Sequence, residues 1–298
     1  MTYHPRRPPL RHSVELRSAQ FNLYEWPAES QTPAATLLML HGWLDSAETF
    51  QFLADHFPSR YRLLALDQRG FGRSGWASGG YWFPDYLADV DALLDRFVPD
   101  GAISLLGHSM GGNVASLYAG TRPERVRHLL NLEGFGLAPT ESSQAPRHYR
   151  KWLDQLRTTQ TFPTYASWQA FIEVLLKRNP RLNPDHAEFI AHAWGRLQED
   201  GRVGLRADPA HRRVNPVLYR LEEAQACWRA ITADVLFIIG RESDLVERVV
   251  GLPKIEAQIE SNFPAASVRY LSDTGHMMHH ERPAEVAALI GDFLQEKS

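Results

Sequence analysis

The chain has 298 residues, 44% of them hydrophobic and 22% charged, with a formal net charge of −3. That length suits one large α/β domain with an insertion or two small domains, and the composition is too apolar for a disordered chain. The slight acidic excess gives no electrostatic reason to expect nucleic acid, and a lone cysteine, Cys227, excludes an internal disulfide and a Cys-rich zinc site.

The first residues hold no apolar run that could serve as a signal-peptide core, and no stretch approaches the roughly 20 apolar residues of a membrane span. The expectation is a soluble cytoplasmic protein with no membrane partner, and a homodimer is compatible with it. Arg6-Arg7 and His211-Arg212-Arg213 are too short to read as more than solvated surface. Val14 to Leu16 and Phe21 to Trp26 are polar enough for an antiparallel edge hairpin. Thr36 to Leu40 is uniformly apolar, as a strand buried on both faces must be. Tyr61 to Leu66, Ala102 to Leu106, Val126 to Leu132 and Val235 to Ile239 look alike, and Ser267 to Leu271 supplies a last strand. Leu87, Val90, Leu94 and Phe97 form one helical stripe. Val286, Leu289, Ile290 and Phe293 form another, after Pro283 in a first turn. Short apolar runs alternating with helices predict an α/β fold, a mostly parallel central sheet flanked by helices.

That rhythm stops between Leu137 and Ile231, where aromatic residues are frequent and no buried-strand run appears. Ser167 is placed to cap a helix beginning at Trp168, and Asn183-Pro184 to open another. We read 137–231 as a helical cap inserted between core segments 1–136 and 232–298. Its aromatics are expected to pack among themselves, with some facing what lies beneath. Cys227, beside Trp228, reads as a small buried hydrophobe.

Three loops carry the chemistry. Gly107-His108-Ser109-Met110-Gly111-Gly112 lies between a strand and a helix, the context that gives Gly-x-Ser-x-Gly its meaning. A serine on such a turn projects its hydroxyl above the sheet, and the helix N-terminus places partial positive charge where an oxyanion would form. His41-Gly42-Trp43 directly follows another strand, so the backbone N–H groups of Trp43 and Met110 are the expected oxyanion donors. His41 itself is expected to hold its loop through backbone hydrogen bonds. His276, after Ser272-Asp273-Thr274-Gly275, is the expected base, with His279 and His280 as rivals. A metal site built from those three is allowed by spacing, but no carboxylate cluster in the sequence accompanies it; no metal or cofactor is expected. For the acid that orients the base, Asp244 follows the penultimate strand and is the first choice. Glu242 and the strand-ending Glu133 are the alternatives.

With these motifs in place, the chain resembles the α/β-hydrolase superfamily, and more specifically its serine hydrolase-like, esterase-type members. Asp67-Gln68-Arg69-Gly70-Phe71-Gly72-Arg73-Ser74 matches a further segment of that family, whose expected job is to pack a glycine turn beneath the oxyanion loop. The resemblance runs from about Val14 to the C-terminus. It implies Ser109, Asp244 and His276 as a triad that cleaves a small to medium, apolar carboxylic ester or thioester through an acyl-enzyme. Epoxide hydrolases and haloalkane dehalogenases carry Asp where this chain has Ser109, so those activities are not expected. Two other readings fit the same motifs: a receptor-like protein that binds without turnover, and a cofactor-free haloperoxidase-like activity. If His276 is the base, activity should fall below about pH 6.5, the ordinary histidine value.

Overall fold

The computed structural model describes residues 3–30, 34–245, 252–263 and 265–297. Among the described residues there are ten strands and ten α-helices. They run β1 (Leu10–Leu16), β2 (Ala19–Trp26), β3 (Thr36–Leu40), α1 (Gln51–Ala54), β4 (Arg62–Leu66), α2 (Phe83–Phe97), β5 (Ile103–His108), α3 (Met110–Thr121) and β6 (Val126–Leu132). After them come α4 (Ala145–Leu156), α5 (Trp168–Arg178), α6 (Pro184–Trp194), β7 (Gly195–Leu197), β8 (Val203–Leu205) and α7 (Leu221–Arg229). The chain ends with β9 (Asp234–Gly240), α8 (Leu252–Asn262), β10 (Ser267–Leu271), α9 (Met278–Glu281) and α10 (Pro283–Glu296).

Eight strands form one sheet in the order β1-β2-β4-β3-β5-β6-β9-β10. The β1–β2 hairpin is antiparallel and lies at one edge, β2 pairs antiparallel with β4, and all later neighbours are parallel. Alternation along the parallel strands explains why they read as continuous apolar runs. Leu38 and Leu40 enter the core on one face while Leu37 and Met39 enter the core on the other, and Phe237 and Ile238 divide in the same way. With both faces covered, polar functional groups are left to the loops at the carboxyl ends of the strands, as in other open α/β sheets.

Everything between β6 and β9 stays out of this sheet. Ser167 Oγ accepts from Ala170 N at the start of α5, and Asn183 Oδ1 accepts from Asp185 N at the start of α6, so both caps form where the sequence places them. Phe171, Leu175, Ile190 and Ala191 build a separate small core with Trp168, Phe189 and Trp194 packed on it. No buried-strand run marks this stretch, yet β7 and β8 pair antiparallel around Asp200-Gly201, where Gly201 has φ +79°. Strands of three residues are too short for apolar alternation to show. The Asp-Gly turn is the one local signal of a hairpin.

α7, inside the stretch read as cap, packs on α3 of the core. A Cβ on Gly120 would sit 1.9 Å from the Cys227 carbonyl, so the two helices meet backbone to backbone. Cys227 is partly exposed and borders a cavity, unlike the buried hydrophobe expected of it. The basic clusters also do structural work. Arg7 donates to the carbonyls of Trp26, Pro27 and Tyr61, and His211 stacks between Phe71 and Tyr81 at 3.9 and 3.6 Å. Among the described residues no helix is long and apolar enough to cross a membrane.

Candidate active site

Ser109 joins β5 to α3 with φ 52° and ψ −114°, a backbone region that a residue with a Cβ rarely enters. Its N–H donates to Leu132 O across the sheet end, at 2.8 Å. The flanking glycines are required by contact. A Cβ on Gly107 would lie 2.2 Å from Gly111 O, and one on Gly111 would lie 2.1 Å from Leu40 O. Met110 opens α3, so its N–H has no carbonyl within the helix to pair with.

Beside Ser109 runs the loop after β3. A Cβ on Gly42 would come within 3.3 Å of Ser109 Cβ. Asp45 N donates back to Gly42 O, closing a turn over Trp43 and Leu44, and Leu44 is held at φ 63°. His41 anchors this turn. Gln68 N donates to His41 Nε2 at 3.0 Å, so the ring proton is on Nδ1, which donates to Gly42 O at 2.7 Å. Gln68 Nε2 also donates to His41 O, and Asp67 accepts from Ala47 N, Arg73 N and Asn22 Nδ2. The 67–74 segment is thus bonded to the loop that carries Trp43, the structural role read from its sequence. Burial pushes the Asp67 carboxyl up from its ordinary value, against the backbone donors and His41 that favour its charge.

Of the three candidate acids, Glu133 is the one bonded to the base candidate: His276 Nδ1 lies 2.6 Å from Glu133 Oε2, and Asp244, the first choice from sequence, is an exposed residue of the next loop. Glu133 follows β6 at φ 56° with its side chain fully buried. It also accepts from Gly240 N at 2.8 Å and Ser243 Oγ at 2.6 Å, so both carboxylate oxygens are held. Glu242, the other alternative, accepts from Thr274 N and supports the His276 loop from outside. With Nδ1–H directed to Glu133, His276 has its lone pair on Nε2, the form a general base needs.

His279 and His280 are buried, and one carboxylate, Asp45, joins them. Asp45 Oδ2 meets His279 Nε2 at 3.1 Å and His280 Nε2 at 3.5 Å, while Oδ1 accepts from Ser46 N, Thr49 Oγ1 and Trp194 Nε1. Burial would raise the Asp45 carboxyl, but His280 and His279 outweigh it and hold it well below the usual range. His108, which the sequence analysis does not single out, donates through Nε2 to His276 O at 2.9 Å, and burial pushes its imidazole far down. His276, His108, His279 and His280 follow one another at ring separations of 4.6, 4.4 and 4.1 Å. Asp45, His108 and His279 could hold a metal ion, with ligand atoms within 4.8 Å of one another, but Asp45 is already saturated by N–H and O–H donors.

A cavity of about 560 Å³ opens beside this loop system, bordered by Trp43 and Met110 from the core and by Trp82, Phe83, Trp152 and Leu218. Its edge reaches Met110, the residue after Ser109. Of the cap aromatics, Trp152 lines this space and Phe162 sits edge-on to Trp43 at 6.3 Å.

A serine on a strained strand-to-helix turn, a buried glutamate bonded to a histidine and a mostly parallel sheet describe a hydrolase class, and the comparison agrees. Residues 35–283 match the model of the alpha/beta hydrolase fold, and the chain belongs to that family. It is similar to a serine hydrolase-like protein of Danio rerio, 28% identical over 88% of this chain and 82% of that one. It is also similar to a 3-hydroxybutyrate-oligomer hydrolase of Cupriavidus necator, 28% identical over 89% of each. Among solved structures, a thioesterase domain from the curacin biosynthetic pathway superposes with a TM-score of 0.82 at 24% identity, covering 95% of this chain and 99% of that one.

Proposed function

We propose that this hydrolase cleaves a small to medium carboxylic ester through an acyl-enzyme, with Ser109 as nucleophile, His276 as base and Glu133 as the acid that orients it. The observation that carries this reading is the His276 Nδ1–Glu133 Oε2 contact of 2.6 Å on the loop system around Ser109. His276 Nε2 takes the Ser109 proton as the hydroxyl oxygen bonds to the carbonyl carbon, and Glu133 stabilises the imidazolium formed. The N–H groups of Trp43 and Met110 receive the oxyanion; one such donor is worth about 3 kcal/mol, a few hundredfold in rate. The carbonyl re-forms as the alcohol leaves with the proton from His276. Water then attacks the acyl-enzyme by the same route, releasing the acid and restoring Ser109.

The apolar cavity beside Trp43 and Met110 supports a medium acyl or aryl group, since about 560 Å³ lies within the usual range for small-molecule sites. The relative named as a 3-hydroxybutyrate-oligomer hydrolase supports an ester as the scissile bond. The test is hydrolysis of a p-nitrophenyl ester series from acetate to decanoate by the wild type and Ser109→Ala. Turnover that vanishes in the variant, with an optimum at intermediate chain length, is expected. Turnover retained in Ser109→Ala, or absent from both proteins, would overturn the reading.

A further inference from the structure

A second cavity, of about 440 Å³, lies where the cap meets the hairpin edge of the sheet, and it shares no lining residue with the cavity at Met110. Arg11 of β1, Arg73, Arg196 of β7 and Arg206 all border it, with Trp76 beside them. Carboxylate compensation centres on Arg73, whose cation Glu48 and Asp67 both favour. Arg73 approaches Glu48 only at 3.7 Å, and its Nε donates to Tyr24 OH. Asp67, under the floor, is taken up by Asn22, Ala47 N and Arg73 N. Arg196 lies over the Trp76 ring at 4.9 Å, and Arg206 is partly buried, with an Nε that is shielded from water and has no hydrogen-bond partner.

Guanidinium groups gathered around one cavity repel one another; Arg11, Arg73 and Arg196 are exposed, and burial adds to the cost at Arg206. A multivalent anion between them reverses that sign. We propose that this arginine-lined cavity binds a phosphate-bearing small molecule at a site separate from the ester cavity. The forked donors of arginine match phosphate oxygens, whereas a monocarboxylate would offset only one of the cations. The volume exceeds what a bare phosphate fills, and the half-exposed Trp76 offers a flat surface to the rest of the ligand.

Calorimetric titration at fixed ionic strength tests this with inorganic phosphate, glycerol 3-phosphate, 5′-AMP and acetate, using the wild type and Ser109→Ala. Saturable binding of at least one phosphate species is expected in both proteins, weakened roughly tenfold or more in Arg206→Gln and in Arg196→Gln. Ester turnover should be unchanged in Arg196→Gln. Preference for 5′-AMP would identify a ligand with a ring placed on Trp76, and equal binding of inorganic phosphate would identify the free anion. Arg196 is exposed, so its variant carries the test if Arg206→Gln does not fold. Three results would overturn the proposal: no saturable binding of any phosphate, binding unaltered in Arg196→Gln, or acetate bound as tightly as phosphate. Because Ser109→Ala is titrated as well, failure here leaves the ester reading untouched.

Discussion

At the carboxyl ends of β6 and β9 two neighbouring loops each carry a carboxylate, one sealed from water and one in it. Glu133 is buried, stands at positive φ and is bonded to Gly240 N, Ser243 Oγ and His276 Nδ1. Asp244 is exposed. Both precede His276 in the chain, so the order of residues does not separate them. Depth does. A carboxylate in a dry site acts on an imidazolium through a weaker dielectric screen, and one at the surface is largely screened. The β9 loop is still bonded to Glu133, because Gly240 N and Ser243 Oγ both donate to its carboxylate.

The sharpest way to break this contrast is to remove each charge in turn. Glu133→Gln should lower kcat by about 10⁴, the scale seen when a triad acid becomes its amide and the base loses its tautomer. Asp244→Asn should change kcat less than about threefold. Matched kinetics of the two variants on one p-nitrophenyl ester decide it, and a reversed order would return the acid to the β9 loop.

The strained turn at Ser109 and the tight loop after β3 were legible in the sequence because their signals are local: glycines that permit close backbone approach, set immediately after uniformly apolar strands. The structural role of His41 was legible for the same reason. The pairing of Glu133 with His276 was not, since it depends on which strand end the β9 and His276 loops come down upon, a relation among distant segments. A hint stood in Asn131-Leu132-Glu133-Gly134, where a charge directly follows a buried strand. Gly134 there packs so tightly that a Cβ would fall 2.6 Å from Gly112 Cα. The meeting of Asp45 with His279 was hidden likewise, by 234 positions of separation.

The dry side of the comparison also predicts acid sensitivity. Burial holds His279 at about 4 and His211 at about 3, against an ordinary value of 6.5. The unfolded chain therefore takes up these protons first as pH falls through 6.5, so stability is full above that value and declines toward pH 4. Between pH 7.5 and 5 each group should remove about 2 kcal/mol. Urea unfolding at the two pH values measures the sum over these and the other histidines that burial lowers, His108 among them, and His211→Phe, a ring of similar shape between Phe71 and Tyr81, should cut that sum by about 2 kcal/mol. A change below about 1 kcal/mol in the wild type would mean that these imidazoles are not sealed.

Donors from the β9 loop give a smaller effect of the same origin. Ser243→Ala removes one hydrogen bond to the Glu133 carboxylate and should lower kcat about tenfold with little change in KM. If kcat is unchanged, Glu133 is oriented without that loop, and the cooperation between the two loops drawn above does not hold.

A smaller effect again belongs to Glu242, on the wet side two residues before Asp244. Its Oε2 accepts from Thr274 N at 2.7 Å and its own N–H donates to Thr274 O, so it steadies the His276 loop from solvent. Glu242→Ala should lower kcat no more than about fivefold, the scale of one ordinary hydrogen bond. Glu242→Gln keeps an acceptor in reach of Thr274 and should restore most of the loss. Failure of glutamine to rescue would show that the charge of Glu242, rather than its hydrogen bond, acts on His276, and would make the solvent-facing carboxylate electrostatically important.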